Sequence, residues 1–363
     1  MNTFGTLFTL TTAGESHGPA LVGIVDGMPA GIRIDFERIK LEMSRRKPGQ
    51  RLSSSRREDD DVTFLSGLLD NVTLGTPIAF TIANKDSRPD DYEYLKKTFR
   101  PSHADFTYQT KYGIRDVRGG GRSSARETAL RVVAGALAMQ ALEKRGIDIL
   151  AFTCQIGNVS CGKHPDFEHI SNSAIWESPV RCPFPEYSDR MIDELEKVRE
   201  KGDTVGCKIA CVITGLPAGV GEPLYDKLSA RLGYAMLGIN AAHAFEYGHG
   251  TDFATKRGAE VSDKFILTEN GTIATETNHS GGIQGGISNG MPVTFSVTFK
   301  PLPSLMQPVE SIDMRGEPVI IQPKGRHDVC AAPRAVPVVR AMAAIAVMDL
   351  LLQFDARRKY GSY

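Results

Sequence analysis

Four features that the sequence lacks narrow the classes of protein it can encode. The 363-residue chain has six cysteines but no CxxC pair, and a chain this long needs no disulfide staples, so we expect reduced thiols. Its 43 basic side chains are balanced by 43 acidic ones, which argues against a nucleic-acid or anionic-membrane partner. The longest apolar run, Ala341 to Met348, is too short to span a bilayer. Since the first residues carry no signal-peptide pattern, we expect a cytoplasmic protein.

Runs of β-branched and aromatic residues bounded by turn residues predict several strands. A hairpin is predicted from Phe265 to Asn278, because Asn270-Gly271 between two such runs favours a tight antiparallel turn. The other predicted strands are Leu7 to Thr12, Ala20 to Asp26, Pro77 to Ala83, Ile147 to Val159, Lys208 to Thr214 and Pro292 to Phe299.

Two predicted helices are apolar nearly all round. The first runs from about Ala125 to Lys144 and begins with a capping box formed by Ser124 and Glu127. The second runs from about Val336 to Phe354, with Pro337 near its first turn. Helices without a polar face must be covered on more than one side, and helices packed between antiparallel sheets satisfy that requirement. We therefore predict an α+β fold, a β-α-β sandwich with central helices.

The entrances to the two apolar helices resemble each other. Arg122 and Arg126 precede the first small-residue helix as Arg326 and Arg334 precede the second. This echo favours an internal pseudo-duplication, although Ala-rich helices also resemble one another because of their shared helix propensity. No segment looks like a free linker, so we expect a single domain over residues 1–363.

Two short motifs place a histidine where a proton could be transferred. In GESHG at 14–18, glycines let the backbone bend sharply around His17 between two predicted strands. In RPSHAD at 100–105, His103 is followed by the carboxylate of Asp105. The alternatives are a turn histidine bonded to backbone for His17 and an ordinary surface histidine for His103.

An arginine-rich segment follows at 45–57. Guanidinium groups match phosphate and carboxylate oxygens bidentately, so this segment favours a small di-anionic ligand, although a solvated charged loop is the alternative. Glu58 and the aspartates at 59–61 partly offset this positive charge. The basic residues are Arg45, Arg46, Lys47, Arg51, Arg56 and Arg57.

The segment GGGRSSARET at 119–128 is the most specific of these signals. Three glycines before a helix expose unpaired backbone N–H groups, and neighbouring arginines and serine hydroxyls add donors. The pattern matches neither a P-loop nor a Rossmann turn, so it predicts another kind of anion site. Helix capping alone would account for Ser124 and Glu127, but it leaves the glycines and arginines unexplained.

Further glycine-rich and charged segments follow. NHSGGIQGGIS at 278–288 would let a flat ligand lie against bare backbone, although such segments are often only turns. RHDVC at 326–330 places Asp328 before the final helix, as an ordinary helix-entry acid or as a base near a cofactor.

Taken together, GESHG, RRKPGQR at 45–51, RPSHAD, GGGRSSARET, NHSGGIQGGIS and RHDVC resemble the ordered motifs of the chorismate synthase family. The resemblance spans nearly the whole chain. It implies a lyase that eliminates phosphate from 5-enolpyruvylshikimate 3-phosphate to give chorismate, using reduced FMN without net redox change. It also implies a homotetramer and the same helix-between-sheets core.

The resemblance assigns roles to individual residues. His17 corresponds to a histidine near the reduced flavin, His103 to the one that protonates the departing phosphate, and Asp328 to a carboxylate that assists proton removal. Arg46, Arg51 and Arg126 would hold substrate phosphate or carboxylate, and NADPH would act only indirectly, through flavin reduction. The implied FMN contacts are Arg122, Ser123, Ser124, Asn240, Ala241, Gly285, Lys300, Pro301, Leu302, Pro303, Ser304 and Arg326.

Two rival functions remain at this point. A flavin or nicotinamide oxidoreductase would consume NADPH with each turnover, whereas the lyase would release phosphate and regenerate its flavin. An RNA-binding protein could use the arginine clusters, but the balanced charge and the lack of an RNA-binding motif argue against it. No reductase-like region is visible, so we expect reduced FMN to come from an external flavin reductant.

Overall fold

A computed structural model of the protein describes residues 1–47, 60–85, 95–162, 167, 170–322 and 328–357. Within this part, the helices are α1 (Phe36–Arg46), α2 (Asp105–Tyr112), α3 (Thr128–Glu143), α4 (Asn172–Glu177), α5 (Pro185–Glu200), α6 (Leu228–Leu237) and α7 (Ala332–Arg357). The strands are β1 (Thr3–Phe4), β2 (Thr9–Ala13), β3 (Ala20–Asp26), β4 (Val62–Phe64), β5 (Leu68–Leu69), β6 (Val72–Thr73), β7 (Ile78–Ala83), β8 (Asp148–Ile156), β9 (Val159–Ser160), β10 (Cys207–Thr214), β11 (Ala242–Tyr247), β12 (Phe265–Leu267), β13 (Ile273–Thr275), β14 (Ile283–Gln284), β15 (Ile287–Ser288), β16 (Val293–Phe299), β17 (Val309–Ile312) and β18 (Pro318–Ile321).

Two five-stranded sheets carry most of the strands in the described residues. The first has the order β1-β2-β3-β7-β4 and the second the order β11-β16-β10-β8-β9. The named strands of both sheets pair antiparallel. The predicted hairpin around Asn270-Gly271 is also confirmed, since β12 pairs with β13 antiparallel. The fold is therefore a mixed α+β fold.

The helices α3 and α7 form the centre of the core. From Thr128 to Leu142, every residue of α3 except Arg131 is buried. A Cβ atom at Gly135 would lie only 2.4 Å from that of Ala341, so the missing side chain lets the two helices approach closely. On its other sides α3 contacts β2 and β3, and α7 contacts β8 and β10. Both helices therefore bury nearly their whole circumference.

By length and composition, α7 would be able to cross a membrane, but 94% of its most apolar window is buried inside the protein. This burial is typical of the core helix of a soluble protein. The helix begins at Ala332 rather than at the predicted Val336, so Pro337 lies inside it and not in its first turn. Packing on all sides outweighs the backbone hydrogen bond that an internal proline removes.

The predicted capping box before α3 is only half present. The Ser124 hydroxyl accepts the Arg126 N–H at 3.3 Å, as predicted. The Glu127 carboxylate instead accepts from Arg131 Nε at 2.8 Å and from the Thr12 hydroxyl at 3.0 Å. Glu127 is buried, and a buried carboxylate is stabilised more by a guanidinium than by a single backbone N–H.

Candidate functional site

The GESHG turn joins β2 to β3 and packs on the glycine-rich segment. Gly14 adopts a left-handed conformation (φ +103°), and a Cβ atom there would lie 2.4 Å from the Ala20 carbonyl oxygen. The His17 ring lies against Gly119, where a Cβ atom would lie 2.2 Å from the ring. Its Nδ1 is 3.0 Å from the Ser16 hydroxyl. The glycines of two separate motifs thus bring His17 to the entrance of α3.

Asn84 holds this turn in place. Its amide nitrogen donates to the carbonyl oxygens of Glu15 at 3.1 Å and Gly18 at 2.9 Å. Its amide oxygen accepts from Arg126 Nε at 3.0 Å. The position of Arg126 is therefore tied to the turn that carries His17, a link that no pattern in the sequence indicated.

The glycine-rich segment itself is strongly curved. Gly119, Gly120 and Gly121 have φ values of +68°, +91° and +55°, which non-glycine residues rarely adopt. The Arg122 guanidinium folds back onto β2 and donates to the Thr12 hydroxyl at 2.7 Å. The Ser123 hydroxyl donates to the Gly120 carbonyl at 2.7 Å. Part of the donor set predicted here thus stabilises the segment.

Arg46 and Arg126 converge on one buried carboxylate. Arg46 ends α1, where a cation also interacts favourably with the helix dipole, and Arg126 precedes α3. Arg46 Nη2 lies 3.3 Å from Asp60 Oδ2, and Arg126 Nη1 contacts Asp60 Oδ1. We call these three residues the Asp60 cluster. Arg51, the third predicted anion ligand, lies outside the described residues, as do Arg56 and Arg57.

Asp328 is connected to the Asp60 cluster through Arg334. Arg334, in the first turn of α7, donates from Nη1 to Asp328 Oδ2 at 2.8 Å. The Nε of the same arginine donates to the Arg46 backbone carbonyl at 3.2 Å. Arg334 therefore connects the predicted base to the end of α1. Arg326 lies outside the described residues.

His103 sits in a loop, and each of its ring nitrogens has a hydrogen-bond partner. Its Nδ1 is 3.1 Å from the Pro101 carbonyl, and its Nε2 is 3.3 Å from the Ser304 hydroxyl. A carbonyl oxygen only accepts, so Nδ1 carries the proton and Nε2 accepts from Ser304. Asp105 does not serve His103 here, because its carboxylate accepts from Arg100 Nε and Nη2, both at 2.8 Å.

The environment of His103 favours its neutral form. Burial, together with the positive charge of Arg100, lowers the pKa of His103 from its ordinary value of 6.5 to about 4. Before substrate binds, the ring is therefore an uncharged imidazole at neutral pH. It can donate a proton from Nε2 only after taking one up, which a nearby anion would favour.

The lowered pKa of His103 predicts a pH-dependent stability. In the unfolded chain this histidine has a pKa of about 6.5. Below that pH the unfolded chain therefore binds a proton at His103, whereas the folded protein does not. The contribution of neutral His103 to the free energy of unfolding is fully present above about pH 6.5 and is lost as the pH falls towards 4. We expect wild type to lose more unfolding free energy than His103→Gln over this interval, as measured by urea denaturation at each pH. Parallel pH profiles for the two proteins would contradict a half-buried imidazole that stays neutral in this pH interval.

Five residues predicted as flavin contacts are connected with His103. The Asn240 amide nitrogen donates to the Ser123 carbonyl at 2.8 Å. Further along, the Lys300 backbone N–H donates to the Ala241 carbonyl at 3.0 Å, and Lys300 Nζ donates to the Ser102 carbonyl at 3.1 Å. We call this set the Asn240 cluster; it comprises Ser123, Asn240, Ala241, Lys300, Ser304 and His103.

One atom of the Asn240 cluster fits a bound ligand. The Asn240 amide oxygen is buried and has no hydrogen-bond partner within the part of the chain that the structure describes. A buried acceptor without a partner is costly, and a ligand N–H such as the imide of a flavin ring would satisfy it. The donor and acceptor set of this cluster is therefore compatible with FMN.

Gly285 is not part of either cluster. It lies in the turn between β14 and β15, and the neighbouring Gly286 carbonyl accepts the Leu228 N–H at the start of α6. Asn240 follows the other end of α6, and the 10 residues of this helix span about 15 Å. Within one chain, Gly285 is thus separated from Asn240 by about the length of this helix.

A cavity of about 300 Å³ borders Arg122 on the side of the N-terminal strands. Among the described residues that line it are Phe4 and Tyr234, whose rings stack at 5.6 Å. Arg122 is its only lining residue among the predicted site residues that the structure describes. The cavity therefore adjoins the site without containing its two histidines.

Together, the fold and these contacts define an enzyme class. Two arginines around a buried aspartate, a desolvated histidine and a buried acceptor at a curved glycine segment suit an enzyme that acts on a small phosphorylated or carboxylated substrate with a planar cofactor.

Comparison with known proteins identifies the family. A family model described as chorismate synthase matches residues 8–352. The chain is 51% identical over 362 residues to chorismate synthase of Parabacteroides distasonis, covering 99% of this chain and 100% of that protein. It is 49% identical over 352 residues to chorismate synthase of Phocaeicola vulgatus, covering 97% and 98%. A crystal structure of chorismate synthase matches with a TM-score of 0.76 and 30% identity, covering 96% of this chain and 92% of that one. The chain belongs to the chorismate synthase family.

Proposed function

We propose that this protein converts 5-enolpyruvylshikimate 3-phosphate to chorismate by 1,4-elimination of phosphate. The observation that carries the proposal is the similarity to chorismate synthases, which extends over 99% of the chain at 51% identity. The reaction breaks the C–O bond to the allylic phosphate and removes a proton from C6, so the enzyme is a carbon–oxygen lyase. It needs cations at the phosphate and a path for the proton.

The Asp60 cluster supplies the cations. Arg46 and Arg126 hold the phosphate or the carboxylate of the substrate, and Arg51 acts with them. Charge builds on the phosphate oxygens as the C–O bond breaks, and oriented guanidinium groups stabilise that charge. The convergence of Arg46 from the end of α1 and of Arg126 from the segment before α3 supports this assignment.

His103 protonates the departing phosphate. Its neutral Nε2 takes up a proton when the substrate binds, because the negative charge of the nearby phosphate group favours the imidazolium. The Pro101 carbonyl fixes the Nδ1 proton and so orients Nε2. Asp328 assists proton removal from C6, and Arg334 orients its carboxylate. His17 lies near the reduced flavin, where the glycine-rich segment holds its ring.

Members of the family require reduced FMN. When bound, reduced FMN would provide transient electron donation to the substrate and assistance in removal of the C6 proton, without net redox change. The residues that would hold it are Arg122, Ser123, Ser124, Asn240, Ala241, Gly285, Lys300, Pro301, Leu302, Pro303, Ser304 and Arg326. The Asn240 oxygen, which has no partner among the described residues, supports this assignment, and Gly285 would contact the cofactor at some distance from Asn240.

Three further proposals concern the whole chain. Residues 1–363 act as a single domain in which α3 and α7 form the middle layer of a β-α-β sandwich. An internal pseudo-duplication is supported by the helix entrances, since Arg126 before α3 and Arg334 in α7 both interact with Arg46 or its partner Asp60. We also propose a cytoplasmic homotetramer, to be tested by light scattering.

Reduced flavin should be both necessary and sufficient for turnover. We expect anaerobic phosphate release from the substrate with FMN and dithionite, and none with oxidised FMN. With FMN and NADPH alone we expect no turnover, because reduction comes from an external flavin reductant. Addition of a separate flavin reductase should restore the NADPH-driven reaction. Rapid NADPH-driven turnover by the purified chain alone would contradict the external reductant but leave the lyase function intact.

A further inference from the structure

The carboxylate of Asp60 lies between Arg46 and Arg126, the two cations proposed to bind the substrate anion. Its side chain has 0% relative exposure, and its two oxygens are divided between two arginines. Oδ2 is 3.3 Å from Arg46 Nη2, and Oδ1 contacts Arg126 Nη1. Together the three side chains carry one excess positive charge. The carboxylate is therefore placed to orient the arginines without cancelling their attraction for an anion.

Each arginine is also held at a second point. Arg46 Nη1 donates to the Thr128 hydroxyl at 3.4 Å, and Arg126 Nε donates to the Asn84 amide oxygen at 3.0 Å. A planar guanidinium that is fixed at two nitrogens has a defined orientation. The arginines come from the end of α1 and from the segment before α3, so neither helix alone fixes their separation. The shared carboxylate does.

The same network reaches the turn that carries His17. Asn84 accepts from Arg126 and donates to the carbonyl oxygens of Glu15 and Gly18. A displacement of Arg126 would therefore be transmitted to the GESHG turn as well as to Arg46. Asp60 lies at the centre of these connections.

We propose that Asp60 is a positioning residue for the elimination, which sets the separation and orientation of Arg46 and Arg126 for the substrate anion. This role rests on the proposed function. It differs from a purely structural ion pair, because it predicts an effect on the reaction that operates through the arginines. A misplacement of about 1 Å in such a group can reduce a rate by about 10²-fold.

Two variants separate orientation from charge. Asp60→Asn keeps the shape but replaces one oxygen by an amide group, which cannot accept a hydrogen bond from an arginine. Asp60→Glu keeps the charge but moves the carboxylate by one methylene group. We expect kcat/KM with reduced FMN to fall by about 10-fold to 100-fold in both variants. If Asp60→Asn fails to fold, Asp60→Glu still carries the test.

Asp349→Asn is the matched control. Asp349 has a side chain with 0% relative exposure and pairs with Arg231 at 3.0 Å, and it also accepts the backbone N–H groups of residues 6–8; its hydrogen bonds and ion pairs within the described part of the chain involve no predicted site residue. We expect it to lower stability while the folded protein keeps its kcat/KM within about twofold. Reduced kcat/KM in both Asp60 variants but not in Asp349→Asn would support the positioning role.

A double-mutant cycle tests whether Asp60 acts through an arginine. In an Arg126→Lys background, Asp60→Asn should cost clearly less in kcat/KM than in wild type, because the geometry that Asp60 maintains is already lost. Fully additive losses, or a folded Asp60→Asn or Asp60→Glu with wild-type kcat/KM, would overturn the role. Absence of turnover by folded, FMN-loaded wild type would instead overturn the proposed function, and with it the reaction that Asp60 is proposed to serve.

Discussion

His103→Ala is expected to lower kcat by about 10²-fold to 10⁴-fold, the usual contribution of a positioned general acid. Without the imidazole, the phosphate must leave without a proton from the protein. KM should change less than kcat, because the arginines supply most of the binding of the ground-state anion. The measurement is anaerobic phosphate release with saturating reduced FMN, compared between variant and wild type at several pH values.

A second histidine provides the control for this experiment. His249 Nε2 lies 2.6 Å from His279 Nδ1, and the two rings stack at 4.6 Å. His249 belongs to neither the Asp60 cluster nor the Asn240 cluster, so His249→Ala should retain kcat within about twofold. A folded His103→Ala with wild-type kcat would remove His103 from the proton transfer and assign the acid to another group or to water.

Asp328→Asn is expected to lower kcat by about 10²-fold or more, because the amide lacks the negative charge that assists proton removal. The asparagine oxygen can still accept from Arg334, so the fold should be retained. If the carboxylate acts on the C6 proton, the C–H cleavage becomes slower and limits turnover. Substrate deuterated at C6 should then give a larger isotope effect with the variant than with wild type.

The control for Asp328 is Asp355, near the C-terminal end of α7. Asp355 Oδ2 accepts from Arg145 Nη1 at 2.8 Å, a carboxylate–arginine pair of similar geometry outside the site. Asp355→Asn should leave both kcat and the isotope effect unchanged. An Asp328→Asn protein with reduced kcat but an unaltered isotope effect would contradict a role in proton removal and would favour a purely electrostatic one.

Local patterns in the sequence predicted the elements of the core well. The strand from Ala20 to Asp26 has the predicted ends, and Asn270-Gly271 forms the predicted turn, because both depend on interactions between near neighbours. The apolar circumference of α3 correctly predicted its burial on all sides. The start of α7 and the capping role of Glu127 were wrong, since both depend on packing against distant residues.

The site shows the same division. The sequence predicted that His17 lies in a turn between two strands, as the structure has it, but it assigned no site role to Asp60, Asn84 or Arg334. Asp60 was visible only as one of three consecutive aspartates, and its burial between Arg46 and Arg126 depends on contacts across 14 and 66 residues of chain. Residue roles stay predictions until the variants are measured.

The stoichiometry of the anaerobic reaction tests directly whether the protein is a lyase that leaves its flavin reduced. A small amount of FMN is reduced with dithionite, excess 5-enolpyruvylshikimate 3-phosphate is added, and chorismate, phosphate and the flavin spectrum are followed together. A lyase that uses reduced FMN without net redox change should form many molecules of chorismate per flavin and one phosphate for each chorismate. The flavin should still be reduced at the end. Product that stops when it equals the reducing equivalents supplied, with oxidised flavin left behind, would contradict a lyase and favour an oxidoreductase.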